Sequence, residues 1–351
     1  MIAMSSNTIT RDATGRHAAL VLHAALLYLL AAPNSGIAAP SAPPVRAVES
    51  IAVPVSDMER SVAFYRTVLS FEPVSVTEVS GDDCEHLYGV FGARLRISTL
   101  RLGDEYLKLE QFLAPRGRPI PVDSKSNDRW FQHIAIIVSD MDRAFAWLHT
   151  QHVEFASAGP QLLPQWNPNA GGIAAFYFRD PDGHNLEILH FPPGKGGAKW
   201  QVPSGRLFLG IDHSAIVVAD TDSSVRFYHD TLGLRIAGGS ENYGIEQERL
   251  NNVFGVRLRI TALRAESGPG VELLEYLAPR TGRPMPIDTQ SNDLWNWHID
   301  MDADVAAADA AIRSGHYGYV SPGPVHGDFG AHQWSLLVRD PDGHAAMLES
   351  R

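Results

Sequence analysis

Histidine and acidic side chains stand at matched positions in the apolar segments of this sequence. His133 and His213 each lie seven residues before an aspartate, and Glu187 and Glu272 lie in segments of β-strand character. Imidazole nitrogen and carboxylate oxygen are protein ligands of Zn²⁺, Mn²⁺, Ni²⁺ and Fe²⁺, and a carboxylate also serves as a general base. The chemistry to consider is metal binding or proton transfer. The competing interpretation of each histidine is a hydrogen-bonded residue of the core.

The single cysteine limits which side chains can bind a metal in this chain. Cys84 has no partner for an intramolecular disulfide, and a zinc site built from cysteines is impossible. Its acidic neighbours in GDDCEHLYG disfavour a thiolate, so we do not expect a nucleophile there. Any metal in this chain must therefore be held by histidine and carboxylate.

The composition describes an acidic globular chain. Its 351 residues are 44% hydrophobic and 20% charged, which fits about two folded domains. Forty acidic and 29 basic residues give a formal net charge of −11, and runs of basic residues are missing. Because phosphate binding needs clustered Lys and Arg, we expect a small-molecule substrate and no nucleic acid.

Residues 1–39 are predicted to form a signal peptide. Basic residues precede the apolar run AALVLHAALLYLLAA at 18–32, and small residues follow it around 36–39. The run is shorter than the roughly 20 residues that a membrane helix needs. We expect a secreted or periplasmic protein without membrane contact after cleavage, and an uncleaved anchor stays the alternative.

The elements that must position the histidines belong to a duplicated chain. The repeated blocks, in order, are SVAFYRTVLSF and SVRFYHDTLGL, VFGARLRI and VFGVRLRI, APRGRPIPVDSKSNDRW and APRTGRPMPIDTQSNDLW, and two copies of RDPDGH. Blocks in the same order at nearly constant spacing indicate a tandem duplication. The sequence predicts two domains, 46–198 and 208–351, joined by a Pro/Gly-rich linker.

Each half repeats again, more faintly. An apolar strand runs into an aspartate that suits a helix N-cap, a stretch of helical period follows, and short β-rich runs complete the unit. The prediction is an α+β protein of four β-α-β-β-β modules. Their approximate bounds are 46–118, 130–195, 210–281 and 296–350.

This organisation resembles the vicinal oxygen chelate superfamily, which includes glyoxalase I, methylmalonyl-CoA epimerase, extradiol dioxygenases and bleomycin-resistance proteins. The resemblance is carried by FYRTVLSF after the first helix and by the two DPDGH turns that enter a final strand. It covers essentially everything after residue 45. It implies that modules pair into two glyoxalase-like half-barrel domains, and that a half-barrel surrounds a divalent metal ion.

The resemblance also implies that metal ligands come from the first and last strands of paired modules. The first-strand positions, read through the repeats, are Ser50, His133, His213 and His298. The last-strand positions are Lys108, Glu187, Glu272 and Met347. Modules two and three therefore each hold a complete His/Glu pair, and modules one and four do not.

The pairing of the modules decides which site forms. We favour pairing of two with three and one with four, as in fused monomeric glyoxalases. That pairing collects His133, Glu187, His213 and Glu272, and it leaves the other half-barrel without a metal site. Pairing of one with two and three with four, as in extradiol dioxygenases, would instead give an alternative site of His213, His298 and Glu349.

The resemblance implies one divalent metal ion (Zn, Ni, Mn or Fe(II)) that acts as a Lewis acid on a small substrate with adjacent oxygens. Glu187 or Glu272 would be the catalytic base that moves a proton next to a carbonyl, as an isomerase, epimerase or lyase does. The alternatives are an Fe(II) extradiol-type dioxygenase and a non-catalytic ligand-binding protein like the bleomycin-resistance members. A monomer is feasible, because four modules satisfy the pairing within one chain.

Overall fold

The computed structural model describes residues 44–327 and 332–350, which belong to one compact unit. The predicted signal peptide at 1–39 lies outside these described residues. Within them, none of the helices combines the length and the apolar character that crossing a bilayer requires.

Modules one and three share one order of elements. Module one contains β1 (Val45–Pro54), α1 (Met58–Leu69), β2 (Glu72–Ser80), α2 (Asp82–Tyr88), β3 (Arg94–Leu102) and β4 (Glu105–Ala114). Module three contains β10 (Phe208–Val218), α4 (Thr221–Val225) with a π-helical turn (Arg226–Thr231), β11 (Arg235–Tyr243), α5 (Ile245–Asn251), β12 (Arg257–Arg264) and β13 (Gly270–Ala278). The sequence pattern missed the two short helices α2 and α5.

Modules two and four share a second order, in which two very short strands replace one long strand. Module two contains β5 (Gln132–Val138), α3 (Met141–Thr150), β6 (Glu154–Phe155), β7 (Gln161–Leu162), β8 (Ala174–Arg179) and β9 (Asn185–His190). Module four contains β14 (His298–Ala303), α6 (Val305–Ser314), β15 (Gly318–Tyr319), β16 (Val325–His326), β17 (Trp334–Arg339) and β18 (Ala345–Ser350). The predicted α+β class and the four modules are confirmed.

An aspartate caps the first helix of every module, as the sequence predicts. The four capping residues are Asp57, Asp140, Asp220 and Asp304. Each carboxylate accepts a hydrogen bond from the backbone N–H three residues on, at 2.7 to 3.0 Å. This bond satisfies one donor that the helix itself leaves open, so the cap fixes where each first strand ends.

The strands form two nine-stranded sheets, and each sheet draws on both sequence halves. The main path of the first sheet is β15-β17-β18-β14-β1-β4-β3-β2, and that of the second is β11-β12-β13-β10-β5-β9-β8-β6. At the centre of each sheet the first strands of two modules pair antiparallel, β1 with β14 and β10 with β5. Module two therefore pairs with module three and module one with module four, so neither 46–198 nor 208–351 builds a sheet alone.

The hydrophobic cores on the helix side of the sheets join other pairs of modules than the sheets do. One cluster combines Ile51 and Leu107 of module one with Ile134 and Ile188 of module two. A second cluster likewise joins modules three and four, and it also takes in Val48 from the start of the chain. The sheets thus connect the two sequence halves, and these cores connect the two modules within a half.

The loops that follow the first and third modules clasp each other. Arg118 donates to the buried carboxylate of Asp293 at 2.6 Å, and Arg283 donates to that of Asp128 at the same distance. Each guanidinium also lies over a tryptophan of the opposite loop, at 4.8 and 4.6 Å from the ring centre. The repeated block that contains SND therefore supplies contacts that hold the two sequence halves together.

Candidate metal centre

Four predicted ligands converge on the concave face of the second sheet. In the central pair of strands Ala215 lies opposite His133, and His213 lies opposite Ala135. The flanking parallel strands place Glu187 beside Ala135 and Glu272 beside Ala215. Because side chains alternate along a strand, all four project from the same face, while Ile134 and Ile136 point to the core.

Three residues of this set, His133, Glu187 and His213, offer ligand atoms that all lie within 4.8 Å of one another, and Glu272 joins them through its contact with His213. Nε2 of His133 is 3.3 Å from Oε2 of Glu187, and Nε2 of His213 is 3.4 Å from Oε2 of Glu272. Nε2 of His213 also lies 4.0 Å from Oε2 of Glu187. Bonds of about 2.0–2.2 Å place two donor atoms about 3.0–3.5 Å apart on one metal.

Three of the four ring nitrogens of His133 and His213 make no hydrogen bond to a described residue. Within the described part of the chain, both ring nitrogens of His133 and Nε2 of His213 are buried without a hydrogen bond. Burying a polar atom without a partner costs free energy, so native structures rarely leave several together. A divalent cation among two imidazoles and two carboxylates would satisfy these atoms, and the residues present therefore fit a metal.

A β-bulge brings a fifth residue, the third acidic one, to the site. The register between β10 and β5 shifts between Ile211 and His213, so Asp212 is the extra residue of the bulge. Its Oδ2 lies 2.9 Å from Nδ1 of His213. Trp200 donates to the same carboxylate at 2.8 Å, and Arg264 donates to it at 2.6 Å. These contacts orient the His213 ring and leave Nε2 for the metal.

The charges of the site shift the pKa values of its histidine and carboxylate in opposite directions. Burial lowers the pKa of His213, but the carboxylates of Glu272 and Asp212 outweigh it and raise that pKa to about 10. Burial raises the pKa of Glu272, and the stronger effect of His213 holds it below its usual value. The carboxylate stays ionised, and the proton that a metal must displace lies on His213.

A cavity of about 690 Å³ opens onto the ligand set, with Glu187, His213 and Glu272 in its wall. Two residues of the wall, Asn242 and Gln247, belong to a network of buried hydrogen bonds. Asn167 donates to Asn242 at 2.7 Å, Asn242 donates to Gln247 at 3.0 Å, and Asn251 donates to Tyr276 at 2.9 Å. Four cationic side chains also line the cavity: Lys195, Lys199, Arg235 and Arg264.

The alternative ligands are divided between the two sheets. His213 belongs to the second sheet, whereas His298 and Glu349 belong to the first. In the first sheet Lys108 stands at the place equivalent to Glu272, and its Nζ lies 2.8 Å from Oδ2 of buried Asp300. His298 also faces Asp300, at 3.1 Å. An ammonium group thus lies where the second sheet has the carboxylate of Glu272.

Other residues that carry reactive groups have structural roles. His184 is fully buried, its Nδ1 lies 2.9 Å from Asp180 within the DPDGH turn, and its Nε2 lies 2.8 Å from the carbonyl of Leu294. His344 repeats the turn contact with Asp340 at 3.1 Å. Burial and two nearby glutamates raise the pKa of Cys84 to about 12, so its thiol stays protonated at neutral pH.

Sequence reasoning missed the residues that support the ligands. Strand alternation turns Asp212 away from the face of His213, and only the bulge brings both to the cavity. Trp200 comes from a short 3-10 helix, Ala198–Gln201, in the segment that the sequence identified as a linker. The adjacency of Asp212 and His213 was the one usable signal, and it has no meaning without the bulge.

Comparisons with known proteins agree with this architecture. The family model of the Glyoxalase/Bleomycin resistance protein/Dioxygenase superfamily matches residues 47–188 and 210–348. A 2-epi-5-epi-valiolone epimerase from Actinomyces sp. is 31% identical over 153 residues, which are 42% of this chain and 81% of that protein.

Two solved structures share the fold. Glyoxalase I from Zea mays matches with a TM-score of 0.54 and 14% identity, over 87% of this chain and 92% of that one. A candidate dioxygenase from Bacillus subtilis matches with a TM-score of 0.56 and 14% identity, over 88% of this chain and 86% of that one. At these identities the likeness concerns the fold alone.

Proposed function

The chain belongs to the Glyoxalase/Bleomycin resistance protein/Dioxygenase superfamily, and on that premise we propose that it is a metal-dependent isomerase or epimerase. Its reaction would move a proton on the carbon next to a carbonyl group of a small, oxygen-rich substrate. The metal ligands would be His133, Glu187, His213 and Glu272.

The observation that carries this proposal is the set of unpartnered imidazole nitrogens beside two carboxylates at the wall of a large cavity. Both ring nitrogens of the structural His184 are bonded, and His344 has one bonded nitrogen, whereas neither nitrogen of His133 has a hydrogen bond to any residue that the structure describes. A dication bound there would polarise the substrate carbonyl and stabilise negative charge that develops on its oxygen. The epimerase relative supports the proton-transfer class.

Glu272 is the better placed of the two predicted bases. Its side chain is 20% exposed, whereas that of Glu187 is 6% exposed, and both line the cavity. Oε2 of Glu272 contacts Nε2 of His213. The proposed base therefore lies beside a proposed metal ligand at the wall of the cavity. A carboxylate held in the ionised form, with access to the cavity, can accept a proton from a bound substrate.

The cavity favours a polar substrate. Its wall contains amide side chains of Asn242 and Gln247 and the cationic groups of Lys195 and Arg235. Buried amides that are already bonded to each other are fixed in orientation, so they can select the position of hydroxyl groups. These polar groups support a substrate with several oxygens. A screen of candidate substrates is needed to identify its exact structure.

Metal content and hydrogen exchange test the proposal together. Purified full-length protein should contain Zn, Ni or Mn, and an NMR screen of cyclic and linear 2-hydroxy ketones in D₂O should show exchange at the carbon beside the carbonyl. Glu272→Gln should slow this exchange by at least about 100-fold. The matched control is Glu275→Gln, on the same strand and buried on the opposite face.

Two outcomes would replace the proposal. Bound iron with oxygen consumption on catechols would favour the Fe(II) dioxygenase, although the ligand trio considered for it is divided between the sheets. A purified protein that binds a ligand in the cavity and takes up no metal would favour the non-catalytic binding protein.

We further propose export to the periplasm or the outside of the cell, on the basis of residues 1–39. The test is the N-terminal sequence of the protein recovered from each cell fraction. A mature protein that begins near residue 40 outside the cytoplasm is the expected result, and an intact N-terminus in the cytoplasm would contradict export.

A further inference from the structure

The concave face of the first sheet contains a second group of metal-type side chains, Glu49, His332 and Glu349, which we call the outer cluster. Nε2 of His332 lies 3.0 Å from Oε2 of Glu49 and 3.5 Å from Oε2 of Glu349. The three ligand atoms lie within 4.8 Å of one another. From this geometry we propose a second divalent-metal site, formed by one imidazole and two carboxylates.

The separations match those of the ligand set in the second sheet. The donor atoms of the outer cluster are 3.0 and 3.5 Å apart, and the corresponding nitrogen-oxygen pairs of the first set are 3.3 and 3.4 Å apart. Bonds of about 2.0–2.2 Å to one ion require this spacing. One imidazole and two carboxylates are suitable ligands for Zn²⁺, Mn²⁺, Fe²⁺ or Co²⁺.

One carboxylate oxygen of Glu349 points into the outer cluster without a hydrogen bond from any described residue. Glu349 is 3% exposed, and within residues 44–327 and 332–350 its Oε2 has no hydrogen-bond partner. Its other oxygen, Oε1, accepts from the hydroxyl of Ser335 at 3.4 Å. The ammonium of Lys108 and Nε2 of His332 each lie 3.5 Å from this oxygen without forming a hydrogen bond, so a divalent cation would satisfy it more fully.

The charges around the outer cluster also favour the binding of a divalent cation. Lys108 is the ammonium group of this face, and its Nζ lies 2.8 Å from Asp300 and 3.5 Å from Glu349, whereas Glu49 contacts His332. Burial raises the pKa of the nearby Glu110 to about 8, so that group is largely neutral at pH 7. Lys108 lies closer to Asp300 than to Glu349, so the carboxylates of the outer cluster retain negative charge that a divalent cation would neutralise.

The proposed site does not repeat the site of the second sheet. The duplication equates Glu49 with Asp212 and Glu349 with Leu189, and neither of these is among the four converging ligands. Glu49 reaches the concave face because β1 carries a register shift between Val48 and Ser50, at the place of the bulge in β10. The equivalents Asp212 and Leu189 line the cavity of the second sheet. The outer cluster therefore lies where the other sheet leaves space for a substrate.

The competing arrangement is a protonated His332 held between two carboxylates, and Co²⁺ titration separates it from a metal site. Metal-stripped full-length protein should bind two equivalents of Co²⁺, measured by equilibrium dialysis and by the visible absorption of the ion. His332→Ala should leave one equivalent. His133→Ala combined with His213→Ala should also leave one, and this one should disappear when His332→Ala is added.

Two further variants keep the test decisive. His326→Ala removes an exposed histidine near the same loop and should keep both equivalents. Glu49→Gln changes a partly exposed side chain and should weaken the second equivalent by more than about 100-fold even if His332→Ala fails to fold. The proposal is overturned by a single equivalent that is lost with His133 and His213, or by two equivalents that survive Glu49→Gln. Either result leaves the proposed function intact.

Discussion

At the scale of single residues, the candidate centre depends on what orients each imidazole ring and on which ring nitrogen faces the carboxylates. Nδ1 of His213 faces Asp212, so the proton on that nitrogen is fixed and Nε2 points to the carboxylates. His133 has no such partner, and its ring instead packs beside Tyr177 with the ring centres 4.9 Å apart. One ligand is oriented by a hydrogen bond and the other by packing.

Asp212→Asn should weaken metal binding without removing a ligand. An amide holds His213 less firmly than a carboxylate and can impose the wrong tautomer, so we expect a loss of about 10- to 100-fold in metal affinity. Competition with a chromogenic chelator measures the change. Asp222→Asn, at an exposed helix position of the same module, is the control. Unchanged affinity in Asp212→Asn would show that packing alone orients the ring.

Metal binding at this centre should release close to one proton from His213 at pH 7. The metal-free ring has a pKa raised to about 10, so it is protonated at neutral pH and must lose that proton to bind. Apparent affinity should therefore rise by about tenfold for each pH unit between pH 7 and 10. Calorimetry in two buffers of different ionisation enthalpy counts the proton. A pH-independent affinity over this range would contradict the raised pKa.

At the scale of elements, strand pairing explains which residues the sequence could place. Alternation along β5 and β10 predicts the shared face of His133 and His213, and the structure puts both side chains there. Asp212 and Glu49 could not be placed from alternation, because each sits at a bulge that adds one residue to its strand. The helices α2 and α5 are seven residues each, too short to show a helical period.

Lys108 should be a stabilising element of the first sheet. It pairs with Asp300, whose side chain is fully buried and whose pKa is held down by Lys108 against the effect of burial. Lys108→Met leaves that carboxylate without its cation and should lower the free energy of unfolding by about 3–5 kcal/mol. The loss should shrink as the pH falls and Asp300 is protonated. Urea unfolding in the presence of EDTA measures the effect.

The double variant Lys108→Met with Asp300→Asn should recover at least half of this loss, since it removes both charges together. Lys125→Met, at an exposed lysine, should change stability by less than about 0.5 kcal/mol. A double variant no more stable than Lys108→Met alone would mean that Lys108 acts through packing of its stem.

At the scale of the whole molecule, the duplication left two concave faces with different contents. One face gathers His133, His213 and two glutamates, and the other has Lys108 beside Asp300 with the outer cluster next to it. The sequence indicated the four modules from their repeats, but both pairings of the modules were compatible with those repeats. The antiparallel pairs of β1 with β14 and of β10 with β5 settle the pairing, and no local pattern encodes these long-range contacts.

Because each sheet crosses the two halves, a chain divided in the linker should form its metal sites only after reassembly. His133 and Glu187 lie before the linker and His213 and Glu272 after it, and the outer cluster is split in the same way. Fragments 40–204 and 205–351, refolded together, should regain Co²⁺ binding with the affinity of the intact chain. Each fragment alone should bind at least about tenfold more weakly, since it lacks one or more ligands of every set. Mixing with a second fragment that carries His213→Ala should restore only the outer-cluster equivalent. If 40–204 alone bound the ion as tightly as the mixture, the centre would belong to one half, and the pairing of β5 with β10 would not be what assembles it.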